Sequence, residues 1–98
     1  MGFRKAKKQL IECLENEQIQ HVMDRSNIDI KNRLVTGEVS AKQLANIVGR
    51  ARGSNYESRP HHFDASIDVH IIAIKHDGVR WYIKWFYLEP DVVFISVH

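Results

Sequence analysis

Thiol chemistry is nearly absent from this chain: one cysteine, Cys13, stands among 98 residues. That excludes an internal disulfide and any cysteine-rich metal knuckle. No apolar run approaches the roughly 20 residues that a membrane-spanning helix needs. The opening Met-Gly-Phe-Arg-Lys-Ala-Lys-Lys lacks a hydrophobic signal core, which predicts a cytoplasmic protein. Internal repeats, low-complexity tracts and linkers are missing too, so residues 1–98 read as one domain. Charge of one sign is scarce. A net +2 permits an anionic partner without demanding one. The remaining composition, 44% hydrophobic and 27% charged, is ordinary for a globular domain with one core.

What the chain has is concentrated between Ile67 and His98. Three runs rich in β-branched and aromatic residues are separated by His76-Asp77-Gly78 and by Leu88-Glu89-Pro90-Asp91, which predicts an antiparallel meander of three strands. Side chains alternate faces along a strand, so parity sorts them. Odd positions supply Ile67, Val69, Ile71, Ala73, Val79, Trp81, Ile83, Trp85, Val93, Ile95 and Val97, an apolar face expected to be the core. Even positions supply Asp68, His70, Arg80, Tyr82, Lys84, Ser96 and His98, diluted by Ile72, Ile74, Phe86, Val92 and Phe94. Keeping even beside even requires a three-residue His76-Asp77-Gly78 loop and a five-residue Tyr87–Asp91 loop. That register sets His70 opposite Lys84, Tyr82 opposite Ser96 and Arg80 opposite His98. A two-residue Asp77-Gly78 loop is the rival, and it pairs odd with even.

The first half reads as helical. Phe3, Ala6, Leu10, Cys13 and Leu14 recur at helical spacing, with Cys13 on the apolar side as a structural residue. Gln18 to Val22 alternates as a short strand. Ser26 or Asn27 caps a short helix through Ile30 and Leu34, stopped by Gly37. Ser40-Ala41-Lys42-Gln43 is a capping box, and Ala41, Leu44, Ala45, Val48 and Ala51 follow on one face until Gly53. Gly53 to Asp64 is then the longest irregular piece. The expected fold is α+β: N-terminal helices on the odd face of a C-terminal antiparallel sheet, a three-stranded meander open to extension by further short strands.

Lys84 lies between Ile83 and Trp85 in the central strand, where a lysine demands a wet or ligand-lined face. With Arg80 and Tyr82 it forms a row flanked by His70, Ser96 and His98. Lysine and arginine hold phosphates, and histidine trades protons near neutral pH. The alternative is a solvated sheet face, with His70 a satisfied structural histidine and His98 a flexible terminus. His61, His62 and Asp64 resemble metal ligands, yet adjacent loop histidines fit no spaced zinc pattern, and no metal or cofactor is expected. The plain reading of this stretch is a polar loop, and a third is a base, His62, aimed at a substrate bound on the adjacent sheet. His76 belongs to a turn, and His21, beside Asp24 and Arg25, is a minor candidate.

Trp81-Tyr82-Ile83-Lys84-Trp85, followed by Asp91-Val92-Val93-Phe94-Ile95-Ser96-Val97-His98, resembles the closing strands of MqsR-type toxins. These are small RelE-like endoribonucleases of bacterial toxin–antitoxin systems. The resemblance covers about a third of the chain; neither the Pro60-His61-His62 stretch nor the capping-box helix has a counterpart in it. It places the family's active-site tyrosine on Tyr82 and its terminal basic residue on His98, and it implies a cognate antitoxin. The function expected is a metal-independent endoribonuclease acting on single-stranded RNA, with His62 or His70 as base. Arg80 and Lys84 would grip the phosphate, and Tyr82 or His98 would serve the leaving group. The alternative is a non-catalytic module that binds RNA or a protein, including an antitoxin- or immunity-type partner.

Overall fold

Phe3–Glu15 forms the first helix, α1, in a computed structural model that describes residues 2–23 and 27–98. Its apolar stripe buries Ala6, Leu10, Cys13 and Leu14. A short strand, β1 (Ile19–His21), follows at the expected place. One helical turn, α2 (Ile28–Lys31), stops before the expected Leu34. Asn32 ends it: the backbone turns extended, and its side-chain oxygen accepts from the amides of Leu34 and Val35 at 3.1 and 3.0 Å. Those amides are thereby drawn away from helical partners. Asn27 precedes this turn in a left-handed conformation without a side-chain cap, and Ser26 lies outside the described residues.

The capping box forms as read. Ser40 Oγ accepts from the Gln43 amide at 3.0 Å and Gln43 Oε1 accepts from the Ser40 amide at 2.9 Å, which starts α3 (Ala41–Gly49). The helix ends four residues short of Gly53. Lys7 of α1 donates to the carbonyls of Gly49 and Ala51 at 2.9 and 3.0 Å, so a cation satisfies the freed acceptors at that end. Leu44, Ile47 and Val48 face inward.

The region expected to be irregular contains a strand. After a 3₁₀ turn at Gly53–Asn55, Tyr56–Pro60 forms β2 and pairs antiparallel with β3 (Asp68–His76). β4 (Val79–Leu88) and β5 (Asp91–Val97) complete the antiparallel meander. β1 adds parallel to β5, so the five-stranded sheet is mixed, in the order β1-β5-β4-β3-β2. The architecture is α+β, and no described helix is long and apolar enough to cross a membrane.

The register differs from the expectation at both turns. Asp77 (φ +50) and Gly78 (φ +78) form a two-residue loop that pairs His76 with Val79. Two successive positive φ values are the signature of the primed hairpin turn that matches strand twist, and Asp-Gly suits it. The rival register therefore holds: Ile72 faces Ile83 and His70 faces Trp85. The second turn is also tight, Leu88 pairing with Asp91 around a cis Glu89–Pro90 bond. The expected odd-numbered core survives in β4, where Ile83 and Trp85 are buried and Trp81 packs against them. In β3 it is inverted, with Ile72 and Ile74 facing the helices. In β5 the core residues are Val92, Phe94 and Val97, a change of parity within one strand.

Candidate functional site

The buried residues of α1 and α3 pack on one face of the sheet with Ile72, Ile83, Trp85, Val92, Phe94 and Val97. Alternation sends a second set to the opposite face, left open by the described helices. Along β4 this set is Arg80, Tyr82, Lys84 and Phe86; the register places Lys75, Ala73, Ile71 and Val69 of β3 beside them. Val69, Ile71, Val93 and Ser96 form a buried floor, while Tyr82, Lys84 and Phe86 are half-buried and Arg80 and Lys75 are exposed. Successive members of the β4 row stand roughly 6.6 Å apart, twice the rise of a strand residue.

A bulge determines what β5 contributes. Ile83 pairs with Val97 and Lys84 with Ser96, but Trp85 pairs with Phe94, so one extra residue, Ile95, is accommodated. An inserted residue reverses the alternation beyond it. Phe94 on one side of Ile95 and Val97 on the other therefore both enter the core, and Ser96 and His98 turn to the open face. His98 is held to the sheet rather than frayed: its amide donates to the Tyr82 carbonyl at 3.1 Å and its carbonyl accepts from the Tyr82 amide at 2.6 Å. The two rings lie 5.5 Å apart at 33°.

The face is electropositive. It carries Arg59, Lys75, Arg80 and Lys84, and among the described residues Lys75, Arg80 and Lys84 form no ion pair. Its carboxylates are engaged at the margins: Glu57 accepts from Arg59 at 3.0 Å, and Asp91 accepts from Gln20 of β1 at 2.7 Å. Net charge alone hid this, because the chain's acidic residues lie largely elsewhere. Arg59 was legible only once Tyr56–Pro60 is seen as a strand, through the alternation of inward Tyr56 and Ser58 with outward Glu57 and Arg59.

Of the six expected site residues, Arg80, Tyr82, Lys84 and His98 converge on this face. His70 does not, which corrects its expected place opposite Lys84. The two-residue turn puts it on the helix-covered side, 2% exposed, its ring 5.3 Å from Trp85. Its Nδ1 shares a 2.7 Å hydrogen bond with the Tyr56 hydroxyl, and it borders a small cavity of about 200 Å³ lined also by Gln9, Ser66, Asp68 and Tyr87. Burial holds this imidazole below its ordinary titration range, against the pull of the Asp68 charge. It is a neutral core histidine. His62 is exposed in the β2–β3 loop beyond the Phe86 end of the row, so at least about 13 Å of strand separates it from the level of Tyr82. Among the described residues no group of His, Cys, Asp or Glu is arranged to hold a metal ion.

The remaining candidates are structural. His21 Nδ1 meets the Asn32 amide at 2.8 Å and its ring stacks on Phe94; burial lowers its pKa. The buried Cys13 thiol is pushed up by desolvation, away from the reactive thiolate. A concavity of about 570 Å³ between α1 and α3, bordered by Ile11, Leu14, Ala41 and Ala45, contains no histidine. No protein-family model matches the sequence, and no curated protein matches it either.

Proposed function

We propose that the chain is a metal-independent, toxin-type endoribonuclease that cuts single-stranded RNA, messenger RNA among it. The observation that supports this is the row Arg80, Tyr82 and Lys84 beside Ser96 and His98 on the electropositive sheet face opposite the described helices. Lys84 and Arg80 grip the scissile and the neighbouring phosphate and neutralise charge on the phosphorane oxygens. His98 takes the proton of the ribose 2′-hydroxyl, whose oxygen attacks phosphorus in line. Tyr82 donates its phenolic proton to the departing 5′-oxygen as that P–O bond breaks. The products are a 2′,3′-cyclic phosphate and a free 5′-hydroxyl. His98, ring to ring with Tyr82, returns the proton to the phenolate. The substrate supplies its own nucleophile, so no metal-bound water is needed.

The resemblance to MqsR-type toxins supports the same two residues, Tyr82 and His98, and brings with it a cytoplasmic setting and an antitoxin that shields this face. The test is incubation of the purified protein with single-stranded RNA in excess chelator. Fragments ending in cyclic phosphate are expected, and a single 2′-deoxy sugar at the cut position should abolish cutting there. Cleavage lost to chelator, or indifferent to the deoxy sugar, refutes the mechanism. A second reading is favoured by the rings of His61, Tyr82 and Phe86 on the same face: a non-catalytic sheet that stacks bases. Binding without fragments would select it.

A further inference from the structure

The β2–β3 loop carries a side chain that the cleavage chemistry does not use. Phe63 is 90% exposed, and its ring neighbours are two histidines: His62 edge-on at 5.0 Å and His61 tilted at 6.2 Å. A single exposed ring is ordinary; what marks Phe63 is the cluster of rings it joins and the backbone tied down beneath it. This loop is tied. The His61 amide donates to the Ile67 carbonyl at 2.8 Å and the Phe63 amide to His61 Nδ1 at 3.1 Å. Asp64 Oδ1 accepts from the Ser66 amide and hydroxyl at 3.0 and 2.6 Å, and the Ile67 amide closes onto the Asp64 carbonyl at 3.0 Å. The His61 ring also stands edge-on to Phe86 at 4.9 Å and 77°. Phe63 is thus presented at the end of the β4 row that begins with Phe86.

Along β4 the open face passes from aromatic Phe86 to cationic Lys84, then aromatic Tyr82, then cationic Arg80. Alternating ring and cation is the pattern that a single strand needs, with bases on rings and phosphates on cations. We propose that His61, Phe63 and Phe86 form a stacking subsite for one unpaired nucleobase, on the nucleotide flanking the phosphate held by Lys84. This rests on the RNA-cleaving reading and adds where the strand is gripped beside the cut. The cations of the row, without ion pairs among the described residues, favour a polyanion over an apolar protein partner.

An uncleavable probe tests it: a fluorescent 2′-O-methyl oligouridylate of about eight nucleotides, titrated at several salt concentrations. Phe63→Ala removes only an exposed ring, and Phe86→Leu keeps apolar volume on the sheet. Each should weaken binding roughly 5- to 150-fold, the range for loss of one stacked base. The slope of log K against log salt should stay at its wild-type value, because no phosphate contact is lost. An abasic ribose-phosphate oligomer of the same length should bind wild type and both variants alike. Wild-type affinity in Phe63→Ala overturns the subsite and leaves the cleavage reading standing. So does a salt slope reduced by about 0.7, the signature of one lost phosphate contact. Failure of the wild-type protein to hold the probe overturns both.

Discussion

Lys84 and Trp85 are adjacent in sequence and belong to opposite faces, so their alanine variants should fail in opposite ways. Trp85 is 0% exposed in the core cluster, and its truncation should remove about 3–5 kcal/mol. Lys84 is half-buried, opposite Ser96 and Ile71. Its alanine variant loses part of an aliphatic stem, about 1 kcal/mol at ~0.8 kcal/mol per fully buried methylene. For a domain of this size that lowers Tm by about 4–8 °C. The functional loss should be much larger than the structural one. A charge-assisted hydrogen bond to phosphate is worth about 1.5–3 kcal/mol, which is roughly 10- to 150-fold in kcat/KM. Single-turnover cleavage of a fluorescent RNA, measured well below both melting temperatures, gives the first number and a thermal melt the second. Lys84→Arg should recover part of the rate. If Lys84→Ala cleaves at the wild-type rate, or loses activity only through a collapsed Tm, Lys84 is a structural lysine and the proposed site is wrong.

Three further outcomes follow from the buried polar groups. Trp85 Nε1 has no hydrogen-bond partner among the described residues. Trp85→Phe should therefore lose less than 2 kcal/mol by urea unfolding, relief of a buried orphan donor worth about 1–3 kcal/mol offsetting lost packing; a loss equal to that of Trp85→Ala refutes this. Asn32 is 0% exposed and serves His21 and the Leu34 and Val35 amides. Asn32→Ala should lower stability by on the order of 3 kcal/mol, and an unchanged urea midpoint would show that the α2 segment does not depend on it. Burial lowers the pKa values of His70 and His21 below 6.5. The unfolded chain then binds more protons in the window just under that value. Their contribution is complete above about pH 6.5 and declines as pH falls towards the folded values. Tm should drop between pH 7.5 and 5.5, less steeply in His70→Gln; a Tm that rises on acidification contradicts the assignment.

Local signals determined much of this molecule. The apolar spacing of Phe3 to Leu14, the Ser40–Gln43 box and the three β-rich runs each carry their own physical cause within a few residues, and each element forms. The strand β4 was legible to the level of single faces. Its alternation of Ile83 and Trp85 with Tyr82 and Lys84 allows one sensible burial, and that is why Arg80, Tyr82 and Lys84 could be placed together on one face.

Tertiary structure decided what the local signals left balanced. Ile71, Ile72, Ala73 and Ile74 are apolar at every position, so burial energy hardly distinguishes the two faces of β3; the turn at Asp77-Gly78 does, and it takes His70 into the core. Val92 to Ile95 is likewise apolar throughout. Nothing in that run marks Ile95 as the inserted residue, yet the bulge there aims Ser96 and His98 beside Lys84 and Tyr82. The strand β2 is short, ends in proline and exposes most of its residues, so its pairing with β3 comes from the neighbouring strand rather than from its own composition. A strand's side chains declare which of them share a face. Which face is covered depends on turns, bulges and partners: the Asp77-Gly78 turn is local, whereas the bulge at Ile95 and the pairings of β1 and β2 are set by hydrogen bonds to other strands.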